Sequence, residues 1–241
     1  MNILILGATG ATGRLLTEEL LDRGQNVKVI VRSSDRLPAA VRSKPNLSVI
    51  QASVLDLTDA ALAEHVSGCD AVASCLGHTI SLSGIYGQPR RLVTDAVRRL
   101  CEAIRSNAPD QPTKYVLMNT TGNRNRDLDE PISTAEKGVV GLLRLLLPPH
   151  VDNEQAAEYL RSTVGQEDEL IEWTAVRPDN LIDEDAVSPY DVYPSPIRSA
   201  LFDAGQTSRI NVAHFMADLI TEDDIWQKWR GQMPVIYNRE S

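Results

Sequence analysis

The sequence predicts an α/β fold, a doubly wound parallel sheet with a small C-terminal lobe. Three observations carry that expectation. The hydrophobic period switches repeatedly between short continuous apolar runs, suited to strands buried on both faces, and runs of helical spacing. The first apolar run, Ile3-Leu4-Ile5-Leu6, passes through a glycine turn straight into a helical pattern. The length, 241 residues with 42% hydrophobic content, suits one compact domain spanning residues 1–241 with room for a small extra lobe.

Taken in order, strands are expected at Asn2–Leu6, Val27–Val31, Leu47–Gln51, Ala71–Cys75, Tyr115–Asn119 and Trp173–Arg177. The first helix is expected from about Thr12 to Arg23, with Gly24 as its stop signal. A second follows over Asp56–Val66, with Thr58 or Asp56 as its N-cap. A long helix over Arg90–Ser106 carries Leu92, Val93, Ala96, Val97, Leu100 and Ile104 as one apolar stripe for packing on the sheet. Its arginines (Arg90, Arg91, Arg98, Arg99 and Arg105) read as a solvated face, with room for one to meet a substrate anion. Helical patterns continue over Thr134–Leu147 and Val151–Thr163, divided by Pro148-Pro149. After Arg177 the alternation breaks down. Pro189–Pro196 reads as loop, Asn211–Ile220 and Asp223–Trp229 as helices, and Val235-Ile236-Tyr237 as a last edge strand. The stretch 179–232 is expected to cover a substrate.

Gly7-Ala8-Thr9-Gly10-Ala11-Thr12-Gly13 is the feature richest in chemistry. A buried strand, a glycine turn and a helix opening on the last glycine make a phosphate site. The helix start presents unpaired N–H groups and partial positive charge, and the glycines let a pyrophosphate approach the backbone. Gly7, Thr9, Gly10, Ala11, Thr12 and Gly13 are therefore candidate cofactor contacts in a Rossmann dinucleotide site. The second strand ends in Arg32-Ser33-Ser34, where a carboxylate would bind the ribose hydroxyls of NAD and an arginine pairs with a 2′-phosphate. The nearest carboxylate, Asp35, stands three residues on, and Arg14 and Arg36 add positive charge. NADP(H) is expected ahead of NAD(H), with Arg32 and Ser33 at the adenosine end.

With these motifs the chain resembles the short-chain dehydrogenase/reductase superfamily, specifically atypical members like flavin and biliverdin reductases and nitrogen-repressor-type redox sensors. The resemblance covers nearly the whole chain. Beyond the glycine turn it rests on Val54-Leu55-Asp56-Leu57, Ser74-Cys75-Leu76-Gly77, Asn119-Thr120-Thr121-Gly122 and Val176-Arg177-Pro178, in that order after successive strands. It implies that Asp56 and Leu57 touch the adenine, although Asp56 also reads as a helix cap. Cys75, Leu76 and Gly77 would line the ribose and nicotinamide side, and Pro178 to Leu181 would lie by the carboxamide.

The superfamily's usual catalytic set is a Ser or Thr, a Tyr and a Lys four residues after the Tyr. Thr120 and Thr121 are placed to supply the hydroxyl. Counting back from Ala156-Ala157-Glu158-Tyr159-Leu160, the tyrosine position holds His150 and the lysine position Glu154, and Tyr159 is followed at plus four by Thr163. The pair His150 and Glu154 shares a helix face and reads either as a proton-transfer pair or as a surface capping pair. The carboxylate is expected to raise the imidazole pKa and the helix start to lower it. His78, following Leu76-Gly77, is the other catalytic candidate, with a solvent-facing role as its alternative.

The remaining signals mainly exclude. A net charge of −9 argues against nucleic acid or an anionic membrane as partner. Cys69, Cys75 and Cys101 lack ligand spacing and read as buried free thiols, and no metal is expected. There is no nucleotide-triphosphate loop and no Gly-x-Ser-x-Gly elbow. The apolar run near Leu142–Leu147 is broken by Arg144 and far short of a bilayer span. The first strand begins at once, so a signal peptide is not expected and a cytoplasmic location is. Two readings follow. One is an NADP(H)-dependent oxidoreductase passing a hydride to a small conjugated acceptor such as a flavin or quinone. The other is a catalytically silent NADP(H)-binding sensor or interaction protein.

Overall fold

The computed structural model of the protein describes residues 1–78, 82–130 and 133–239. Its centre is an eight-stranded sheet in the order β3-β2-β1-β4-β5-β6-β10-β8. The strands are β1 (Asn2–Leu6), β2 (Asn26–Val31), β3 (Leu47–Gln51), β4 (Ala71–Ser74), β5 (Thr113–Met118), β6 (Ile171–Pro178), β8 (Tyr190–Tyr193) and β10 (Val235–Asn238). All neighbours are parallel except β8, which runs antiparallel to β10 with Val235 opposite Tyr193. Ile3 pairs with Val27 on one side and Ala71 on the other. The chain order therefore reverses beside β1, and a cleft opens there at the carboxyl ends of the strands.

Two helical layers cover the sheet. On one face lie α1 (Ala11–Asp22), α8 (Arg209–Thr221) and α9 (Asp223–Trp229), burying Leu16, Leu20, Phe215, Met216 and Trp226 against Ile3, Ile5 and Val29. On the other lie α3 (Asp59–Val66), α5 (Leu92–Asn107) and α7 (Pro148–Tyr159), with Val97, Leu100, Ile104 and Leu160 against Leu4, Leu6 and Tyr115. The stripe expected on α5 is thus the sheet-packing face. Short helices α2 (Ala39–Arg42) and α4 (Leu82–Tyr86) join them, and α6 (Thr134–Leu146) precedes α7. Among the described residues no helix is long and apolar enough to cross a membrane.

Several expectations are corrected. Thr58, not Asp56, caps α3, accepting from the Ala61 N–H. Arg99 is not on a solvated face, because it donates to the Val54 carbonyl at 2.7 Å and to that of Leu57. The stretch expected as loop at 189–196 contains β8, which is the true sheet edge, and β10 is interior because both its flanks are paired. Within 179–232, α8 and α9 are core helices. β7 (Asn180–Ile182) and β9 (Gln206–Ser208) pair in parallel as a separate two-stranded sheet.

Candidate functional site

The glycine turn folds as its spacing requires. Gly7 has φ +79°, and a Cβ there would stand 2.5 Å from the Cys75 carbonyl carbon and oxygen. Gly13 does not face the cleft. It sits beneath the turn, where a side chain would collide with the Gly7 carbonyl oxygen, so its role is close packing of helix on strand. Gly10 opens α1 with no side-chain cap and no acidic residue in the first turn. The first N–H groups of α1 are left for a ligand.

Above this turn is a cavity of about 450 Å³. Its floor is Gly7, Thr9, Gly10, Ala11 and Thr12, one end is Arg32, Arg36, Ala52, Ser53 and Val54, and the other is Cys75, Leu76, Gly77, Met118 and Leu181. Uncapped helix amides, a turn at Gly7 that has no room for a Cβ, and lining arginines with no carboxylate among the described lining residues fit a dinucleotide phosphate chain.

Besides Gly13, four expected contacts (Ser33, Asp56, Leu57 and Pro178) sit elsewhere, and so does Arg14. Ser33 precedes a 3₁₀ turn over Ser34–Arg36, which brings Arg36 and not Ser33 to the cavity. Arg14 is exposed outside it. Asp56 and Leu57 are displaced by a turn in which the Asp56 N–H bonds the Ser53 carbonyl, and Arg99 anchors that loop away from the cleft. Ala52, whose N–H bonds the Val31 carbonyl, crosses the cleft first, so residues 52–54 form the wall. Pro178 is buried and offers its carbonyl to the Thr121 N–H at 3.1 Å.

Cys75 contributes backbone to the cavity, while its thiol points into the core, 3.9 Å from the Met216 sulfur, and burial pushes its pKa up to about 12. His78 lines the cavity but is fully engaged. Its Nε2 is 2.8 Å from Asp152 Oδ2 and its Nδ1 3.1 Å from the Gly84 carbonyl. Asp152 is itself buried and accepts from the Val93 and Thr94 N–H groups at the start of α5. His78 is therefore a clip between the β4 loop, α5 and α7. It is not solvent-facing.

A second cavity, of about 520 Å³, lies on the other side of the β5 end. Thr121, Gly122 and His150 form its inner wall, Val140 and Leu143 of α6 one apolar side, and Pro196 to Leu201 the outer side. Its loop is held from behind by a buried ion pair. Arg177, fully buried, meets Glu130 at 2.7 Å and 3.1 Å and also donates to the carbonyls of Met233, Asn123 and Pro194. Thr121 Oγ1 donates to Asp179, whose other oxygen accepts the Gly205 N–H at 2.9 Å, joining this loop to the covering segment. Burial lifts the Asp179 carboxyl above the usual range. Thr120 is set back from this wall, its hydroxyl accepting the Gly122 N–H at 3.3 Å.

His150 sits on the first turn of α7, which Pro148 and Pro149 start and which Asn119 secures by donating to the Asn153 carbonyl. Its Nε2 is buried without a hydrogen-bond partner, 3.6 Å from Glu154 Oε1. The carboxylate does not win the contest over its pKa. Burial lowers it most, Glu154 raises it, and Arg144, which holds Glu154 through two bonds of 2.8 and 2.9 Å, lowers it again. The net shift is downward, so His150 is neutral at pH 7. The pair is also no surface cap, because both side chains are largely buried.

A family model described as NAD(P)H-binding matches residues 7–223. Solved structures of the same fold include the oxidoreductase ylbE from Lactococcus lactis, at a TM-score of 0.69 and 18% identity over 100% of this chain and 92% of that one. A short-chain dehydrogenase/reductase from Veillonella parvula, solved in complex with NADP, gives 0.71 and 17% over 98% and 94%. A candidate NADH-flavin reductase from Streptococcus pneumoniae gives 0.65 and 18% over 99% and 100%. Among curated proteins, an uncharacterized chloroplastic protein of Arabidopsis thaliana is 38% identical over 57 residues, which spans 24% of this chain and 20% of that protein.

Proposed function

The chain belongs to the NAD(P)H-binding family, and from that premise we propose that it is an NADP(H)-dependent oxidoreductase acting on a small conjugated acceptor of flavin or quinone type. The observation that carries this reading is the pair of cavities flanking the end of β5, one fitted for a dinucleotide and one with an apolar side, a charged rim of Arg124, Glu130, Glu136 and Arg198, and a wall at His150, whose buried Nε2 has no hydrogen-bond partner. When bound, the nicotinamide supplies or takes the hydride.

The chain's own residues account for the rest. The α1 amides and Arg32 hold phosphates, Leu76, Gly77, Met118 and Leu181 wall the nicotinamide end, and Val140, Leu143 and Leu201 exclude water from the acceptor. His150, neutral near pH 7, takes or relays a proton at Nε2. Apolar walls and fixed orientation suit a conjugated acceptor, whose reduction depends on stacking geometry more than on a tuned protein acid. A second reading, a silent NADP(H)-binding sensor, is favoured by Glu154, a carboxylate bound to Arg144 where the superfamily places its lysine.

Fluorescence titration with NADPH and NADH, followed by NADPH oxidation assays over flavin and quinone acceptors, separates the two. Turnover with either acceptor class supports the oxidoreductase. Tight binding without turnover over a broad panel supports the sensor. Arg32→Asp is expected to weaken NADPH by about 1–3 kcal/mol, the scale of a charge-assisted contact, and to spare NADH. An unchanged NADPH/NADH preference would remove Arg32 as the discriminating residue.

A further inference from the structure

Among the described residues, the dinucleotide cavity is lined by three arginines and by no aspartate or glutamate, in a chain of net charge −9. Arg32 and Arg36 account for its adenosine end. The third, Arg209, comes from the far end of the sequence and is the first residue of α8. A cation at that position opposes the helix dipole, and Ser208 already caps the helix by accepting from the Asn211 N–H, so local helix chemistry gives no reason for it.

The packing of α8 supplies a reason. Arg23, just past the end of α1, donates to Asp218 at 2.7 Å and to Thr221 at 2.9 Å, near the end of α8. The two helices therefore lie parallel with their C-termini together. They have 12 and 13 residues, so their N-termini are also together. Arg209 at the start of α8 lines the same cavity as Gly10, Ala11 and Thr12, where the unpaired amides of α1 open. In the structure Arg209 pairs with Asp183 at 2.8 Å, and that carboxylate is 83% exposed. An exposed ion pair of this kind holds its partners weakly.

We propose that Arg209 is a ligand of the cofactor pyrophosphate. On binding, its guanidinium leaves Asp183 for the phosphate oxygens, completing from the α8 side a site that the α1 amides begin. Phosphate and guanidinium match in a bidentate geometry that the solvated Asp183 carboxylate does not improve on. The consequence is that the chain from 183 to 209, which borders the acceptor cavity at Pro196 to Leu201, is fastened to the cofactor at its C-terminal end. The inference depends on dinucleotide binding alone and not on hydride transfer.

Calorimetric titration tests it with NADPH, NADH and adenosine 2′-monophosphate, a probe that lacks the pyrophosphate. Arg209→Gln is expected to weaken both dinucleotides by the same factor, about tenfold for loss of a charge-assisted bond, and to leave the monophosphate unchanged. Arg209→Lys should recover part of the loss, and Asp183→Asn should tighten both dinucleotides by removing the competing carboxylate. The melting temperature without ligand should stay the same in all three variants. Unchanged dinucleotide affinity in Arg209→Gln would overturn the proposal. So would a loss confined to NADPH, which would assign Arg209 to the 2′-phosphate, or an equal loss for the monophosphate, which would indicate general damage. If the wild-type protein binds neither dinucleotide, the cofactor assignment itself falls and the proposal falls with it.

Discussion

The two cavities flanking β5 are built by opposite means. The dinucleotide cavity is made chiefly of backbone at strand ends and a helix start, and its turn glycine Gly7 has nowhere to put a side chain. The acceptor cavity is made of side chains from a loop, an outlying helix and the covering segment, held by ion pairs and hydrogen bonds distant in sequence. Backbone geometry tolerates little change and leaves a signature in a few consecutive letters. A side-chain cavity leaves almost none, and its chemistry can be altered one residue at a time. A shared NAD(P)H-binding half with variable acceptor chemistry is what that contrast would produce.

The largest expected effect comes from the support behind the acceptor loop. Glu130→Gln leaves the Arg177 guanidinium buried with its charge uncompensated, a situation that costs about 3–5 kcal/mol. Chemical denaturation should show a loss of that order, while a Glu130→Leu/Arg177→Met double variant should regain much of it. Dinucleotide affinity of the folded fraction should change little, because neither residue touches that cavity. A parallel loss of NADPH affinity would mean that the two regions are not as separable as their construction indicates.

The next comparison sets one glycine against another. Gly13→Ala forces a methyl against the Gly7 carbonyl, whereas at Gly122 the nearest atom to an added Cβ is His150 Cε1 at 3.6 Å, an ordinary contact. Gly13→Ala should cost about 1–3 kcal/mol as overpacking and open the phosphate turn, seen as weaker NADPH binding. Gly122→Ala should stay within about 0.5 kcal/mol of the wild type in stability. Equal tolerance at both positions would break the contrast between a backbone-built and a side-chain-built site.

The same contrast explains what was legible in the sequence. The strands of the parallel sheet, the glycine turn and Arg32 were readable because each depends on a local run of residues. Asp56 and Leu57 were misplaced because the turn after β3 and the grip of Arg99, more than forty residues away, decide which part of that loop crosses the cleft. β8 was hidden in a proline-bearing stretch because a short antiparallel edge strand is defined by its partner β10. Arg209 and Asp179 were missed for a related reason. Their positions depend on α8 lying beside α1 and on the covering segment folding back, which no local pattern announces. The sequence marks His78 as a catalytic candidate from its place after β4, but only the fold reveals that Asp152 and Gly84 already occupy both its nitrogens.

The finest test concerns the histidine in the wall of the second cavity. Burial favours the neutral imidazole of His150, so the folded protein binds this proton at lower pH than the unfolded chain, whose histidine titrates at 6.5. Its contribution to stability is therefore complete at neutral pH and is lost as the pH falls from about 6.5 through the folded titration point, because the unfolded state then binds more protons. His150→Gln should flatten the acid side of the stability profile in that window. The neighbours act in opposite senses. Arg144→Gln removes a lowering charge and should move the His150 titration up, whereas Glu154→Gln removes a raising charge and should move it down. Proton NMR of the His150 ring in each variant reads both shifts directly. If the two variants moved it in the same direction, the charges of Arg144 and Glu154 would not be what tunes this histidine, and the acceptor cavity would owe its proton chemistry to burial alone.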